Sequence, residues 1–95
     1  MTATALTPAE IQLLDDMRRL IRATPYERKS DEAAERAYED LPGAAHSNAI
    51  EGNPLTAVEY AFQLLMIEER VPADRGTAFV IEFMRREDAI ANRSA

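Results

Sequence analysis

Apolar positions recur at three- and four-residue steps along most of the chain, and no stretch alternates with a period of two. The clearest run is Leu13, Leu14, Met17, Leu20 and Ile21. It forms one stripe, with Asp15, Asp16, Arg18, Arg19 and Arg22 on the polar side. Thr7 is a good N-cap, Pro8 fits the first helical position, and Glu10 completes a capping box. Leu6 and Ile11 have the spacing of a hydrophobic staple. Pro25 predicts the end of this helix near residue 23.

Ser30 predicts a second helix over residues 31–40, with acids in its first turn where the helix dipole favours them. Its apolar content is mostly alanine plus Tyr38, so it needs a neighbour. Leu41-Pro42-Gly43 predicts a break. Residues 44–51 then read as a separate short helix, with Gly52 in the left-handed position past its end and Pro54 as a stop. Two turns of helix are not stable alone in water, so this one requires packing from elsewhere.

Thr56 and Glu59 form a second capping box, with Leu55 and Tyr60 at staple spacing. The helix they open should run to about Arg70. Val58, Tyr60, Ala61, Phe62, Leu64, Leu65, Met66 and Ile67 cover more than half its circumference, which predicts a central element. That much apolar surface exceeds what a thin four-helix domain can cover, and predicts a marginal free protein that a partner stabilises. Residues 71–76 read as a turn. A last helix over about 74–91 carries Phe79, Val80, Phe83, Met84 and Ile90 as its stripe. The expectation is an all-α, small single domain of four to five helices. It divides into an N-terminal helical extension (1–42), a short helix (43–53) and a C-terminal helical hairpin (54–92).

Composition narrows the chemistry. The chain has 95 residues, no cysteine and one histidine, His46. That removes disulfides, thiolate nucleophiles and any histidine- or cysteine-rich metal site, and no cofactor or metal is expected. His46 and Ser47 are adjacent, so on a helix they point about 100° apart and make no nucleophile–base pair. No catalytic residue is assigned, and the chain is not expected to be an enzyme. Asp15-Asp16, Glu39-Asp40 and Glu68-Glu69 read as solvated polar face. Lys+Arg is 11 against Asp+Glu 17, a net charge of −6, and residues 1–42 and 43–95 carry −3 each. That balance opposes binding to a phosphate backbone. Apolar runs fall far short of the roughly 18 residues of a membrane span, and the N-terminus lacks the basic flank of a signal peptide. A cytoplasmic protein is expected.

Ser47 and Glu51 are four apart and share one helix face. Glu51 stands at the negative end of the helix dipole, which costs up to about 1 kcal/mol. A cation supplied from outside would relieve that cost, and an arginine fork matches a carboxylate best. The spacing alone also fits an ordinary helix end with Glu51 exposed.

The segment Ser47-Asn48-Ala49-Ile50-Glu51-Gly52 resembles the inhibitory motif of the Fic adenylyltransferase system, Ser/Thr-x-x-x-Glu-Gly/Asn. The longer string SNAIEGNPLT is similar to the form found where Fic proteins carry their own inhibitory helix. The helix opened by Thr56, the turn through Pro72 and Gly76, and the final helix with Met84-Arg85-Arg86-Glu87 resemble the small VbhA-type Fic antitoxins over about residues 43–90. Residues 1–42 are outside the resemblance. The catalytic Fic motif, HxFx(D/E)GNGRxxxR, has no counterpart in this chain, so it resembles the inhibitor without the enzyme.

The resemblance implies an antitoxin that binds a separate Fic-domain toxin as a heterodimer and silences its AMP transfer. In that family the inhibitory glutamate pairs with the arginine that holds the ATP γ-phosphate. ATP still enters, but its α-phosphorus is wrongly placed for in-line attack. By this resemblance Glu51 takes the glutamate's role and Ser47 hydrogen-bonds into the site. Gly52 lets the chain leave without a clash, and Asn53 extends the contact. Asn48, Ile50, Leu55 and Phe62 are assigned to partner binding. The alternative is a helical adaptor or regulatory protein with no Fic partner.

Overall fold

The computed structural model describes residues 6–52 and 54–94, which form four α-helices and no strand: α1 (Pro8–Ala23), α2 (Asp31–Ile50), α3 (Ala57–Glu68) and α4 (Ala73–Ser94). Both capping boxes form. The Thr7 hydroxyl accepts from the Glu10 amide at 3.1 Å while the Glu10 carboxylate accepts from the Thr7 amide at 2.9 Å. Thr56 and Glu59 repeat the arrangement at the start of α3, at 3.2 and 2.9 Å. Ser30 caps α2 through the Ala33 amide. α4 begins one residue earlier than predicted, because the Pro72 carbonyl already accepts from Arg75 and Gly76.

The core is built by three of these helices. Leu13, Met17 and Ile21 of α1 meet Val58, Phe62 and Leu65 of α3 and Phe79 and Phe83 of α4, with Val71 from the connecting turn. Met17 and Ile21 are completely occluded. Phe62 and Phe83 stack with centroids 4.2 Å apart, and Tyr26 meets Phe79 edge-on at 6.4 Å. α1 packs on both α3 and α4, while α2 packs on the other side of α3. Residues 1–42 are therefore no extension, since α1 supplies a third of the core. α3 is also better covered than its composition predicts. Among the described residues the large apolar side chains left exposed are Ile11, Tyr38, Ile50, Ile81 and Met84, none of them on α3.

The predicted break at Leu41-Pro42-Gly43 does not occur. α2 runs on for 20 residues with Pro42 inside it, so the short helix at 43–53 is the last part of α2. Proline costs about 3 kcal/mol in a helix interior. Ala34 and Leu41 are buried on the side that packs against α3, and this tertiary anchorage outweighs the local preference. Beyond Leu41 no residue of α2 is buried; Ala45 and Asn48 are half-buried and the other seven of the last nine residues are exposed. The radius of gyration, 13.8 Å, is larger than the roughly 12 Å of a compact chain of this length.

Glu69 departs furthest from the expectation of a solvated polar face. It is 4% exposed and accepts from two arginines of α1. Arg18 donates from Nη1 at 2.8 Å, and Arg22 from Nη2 at 3.0 Å. The Tyr26 hydroxyl donates to the Glu69 carbonyl at 2.6 Å. The next residue, Arg70, adopts φ of 59°. This turns the chain so that Arg70 and Val71 amides donate to the Ile67 and Met66 carbonyls and close α3 with a Schellman pattern. The Arg70 carbonyl accepts from the Lys29 amide, and its guanidinium pairs with Asp31 at the start of α2.

Two measurements probe this framework. Hydrogen bonding and charge from Arg22 lower the Glu69 pKa below the ordinary carboxylate value, against an opposing push from burial, with Arg18 adding to the lowering. The stability it contributes is therefore full above about pH 5 and is lost as pH falls through the lowered folded-state value. Both guanidiniums reach water, so Glu69→Gln should cost about 1–2 kcal/mol at pH 7 and flatten the acid limb of a urea-midpoint profile. Gly43 lies in helix with open space where a Cβ would point. Gly43→Ala should raise stability by about 0.4–1 kcal/mol. Pro42→Ala should raise it further, both read as an increase in melting temperature of several degrees.

Candidate functional site

The Ser47–Gly52 segment is built by the unsupported end of α2. The Glu51 amide donates to the Ser47 carbonyl at 3.2 Å, which keeps the two side chains on one helix face. The Gly52 amide donates to the Ala49 carbonyl at 3.1 Å. Gly52 then takes φ of 80°, the left-handed conformation expected of it, which a side chain at this position would strain. Thus α2 begins after Ser30 and ends before Gly52, where the capping signals placed both, but no separate helix begins at residue 44.

Ser47, Ile50, Glu51 and Gly52 are all exposed, and Asn48 and Leu55 are half-buried. Asn53 lies outside the described residues. Ile50 is 73% exposed, the most exposed large apolar side chain described. Among the described residues no cation lies within ion-pair distance of Glu51. The carboxylate is thus held at the negative end of a 20-residue helix, without a basic residue in the last turn to offset it. His46 is exposed as well.

Phe62 does not belong with this group. It is 1% exposed and stacked on Phe83, so it holds α3 to α4 and has no face for a partner. Its place on the apolar stripe of α3 already pointed to the core. Several other carboxylates are engaged, whereas among the described residues Glu51 is not. Glu82, for example, accepts from both Arg85 and Arg86 on α4, which hold its pKa down to about 2. Among the described residues no three potential ligands gather to hold a metal ion. No helix among the described residues is long and apolar enough to cross a membrane.

The separation of core from segment predicts separate phenotypes. Phe62→Ala should cost about 3–5 kcal/mol, a large part of the stability of a domain this size, and is read as a lowered urea midpoint of the free chain. Ile50→Ala should leave that midpoint nearly unchanged. The chain matches no family of known proteins, no curated protein and no solved structure.

Proposed function

We propose that this chain is the inhibitory partner of a separate Fic-domain adenylyltransferase, and that Glu51 is the group that blocks AMP transfer. The observation that supports this reading is the state of Glu51 in the free chain. It is exposed at the end of a projecting helix and carries a charge that the helix end disfavours, with no cation beside it among the described residues. An arginine fork presented by an enzyme would satisfy the carboxylate and relieve the dipole penalty together.

The chemistry follows from competition for that arginine. AMP transfer needs a target hydroxyl in line with the bond from the α-phosphorus to the departing pyrophosphate. An arginine drawn onto Glu51 no longer fixes the γ-phosphate, so the triphosphate is held in a geometry in which that line is lost. Ser47, on the same face one turn earlier, has a hydroxyl free to add a hydrogen bond in the pocket. The chain itself catalyses nothing in this scheme. It acts in the cytoplasm, where its partner would meet ATP.

The test is adenylylation with radiolabelled ATP by the co-purified complex of this chain and the Fic-domain protein encoded beside it. Glu51→Gly should restore AMP transfer while the two chains still co-purify, with affinity reduced by about 1–3 kcal/mol. A mutant complex that stays intact and silent would show that Glu51 is not the obstructing group. A neighbouring gene without a Fic motif would remove the proposed partner altogether.

A further inference from the structure

Pro42 divides α2 into two parts of unequal support. Before it, Ala34 and Leu41 are buried on the side facing α3, Ser30 caps the first turn, and Arg70 pairs with Asp31. After it, among the described residues, no side chain of residues 43–51 is buried, and none makes a hydrogen bond or an ion pair. Ala45 and Asn48 are half-buried there, and both are small. The joint between the two parts is weak as well. Pro42 has no amide to offer the Tyr38 carbonyl, and its ring crowds that carbonyl. Gly43 follows directly, with open space where a Cβ would restrict the backbone.

The turns beyond the proline have little of their own to hold them. Residues 43–51 fall short of the roughly 12–15 that an isolated helix needs in water. Gly43, His46, Ser47 and Asn48 are weaker helix formers than alanine. Glu51 at the C-cap places a negative charge where the last carbonyls already concentrate one, with no basic residue in the final turn. These weaknesses all act on the same two turns. A cation brought to Glu51 from outside removes the last of them, so binding and helix formation favour each other.

We infer that the turns of α2 beyond Pro42 open and close as a unit while the rest of the chain stays folded, and that a partner's cation on Glu51 orders them. The helix through Ile50 is the closed, binding-competent state, and the free chain holds only a fraction of its molecules there. Apparent affinity is the intrinsic affinity multiplied by that fraction. Pro42 and Gly43 thereby set the strength of inhibition from outside the Ser47–Gly52 segment. The opening is a property of this chain alone, whereas its coupling to inhibition rests on the proposed Fic-domain partner.

Two experiments on the full chain separate these parts. The first records carbon chemical shifts and amide exchange of the isotope-labelled free chain. Residues 45–50 should show a partial helical fraction, on the order of 0.1–0.5, and exchange far faster than Ala37 and Leu41. Pro42→Ala and Gly43→Ala should raise that fraction, and Ala44→Gly should lower it. Glu51→Lys should raise it through the helix dipole alone. The signals of Ile21 and Phe62 in the core should stay in place throughout. Full helicity of residues 45–50 in the wild-type chain, or exchange as slow as that of Ala37, would overturn the inference. The second experiment titrates the Pro42, Gly43 and Ala44 variants with the neighbour-encoded Fic-domain protein. Affinity should follow the helical fraction in both directions, rising about twofold to tenfold for Pro42→Ala. Constant affinity across variants whose helical fractions differ would overturn the coupling. A wild-type chain that does not bind the toxin removes the inhibitory reading and the coupling with it, and the first experiment still decides the opening.

Discussion

One buried carboxylate holds the junction on which the other elements depend. Glu69 draws Arg18 and Arg22 of α1 onto the end of α3, and the Tyr26 hydroxyl fastens the same point from the following loop. The next residue turns the chain into α4 and fastens the entry to α2 through its carbonyl. The Glu69 side chain thus fixes the α1–α3 packing, while Arg70 beside it sets the direction in which α4 departs and anchors the α2 N-terminus. Burying such a charge is favourable only with its partners in place, so this junction forms as a unit or not at all.

That arrangement explains how a small chain projects a helix without a large scaffold. The core is confined to α1, α3 and α4, and α2 is anchored through Ala34 and Leu41. The turns beyond Leu41 bury no residue, and this is where Ile50 and Glu51 are exposed. Residues that stabilise the fold and residues placed to meet a partner are thus segregated along the chain. Phe62 belongs wholly to the first group.

Much of this was legible in the sequence, and the exceptions share a cause. The capping boxes at Thr7 and Thr56, the stripe through Met17 and Ile21 and the left-handed Gly52 were legible because each depends on residues within one or two turns. Pro42, Glu69 and α1 were misread because their roles are set by distant partners. Pro42 is carried through by the docking of Leu41 and Ala34 against α3. Glu69 is next to Glu68 in sequence and both meet Arg18, but only Glu69 is buried and also accepts from Arg22. Ser47 and Glu51 were legible as a shared helix face.

The proline inside α2 has a consequence beyond its energetic cost. Pro42 has no amide hydrogen, so the Tyr38 carbonyl lacks its usual donor four residues on, and one rung is missing from the ladder that transmits helical cooperativity. The turns beyond it can open without disturbing the core. A protease therefore finds accessible chain at residues 43–50 before it finds any elsewhere in α2. The lifetime of the segment bearing Glu51 is thereby uncoupled from that of the domain that carries it.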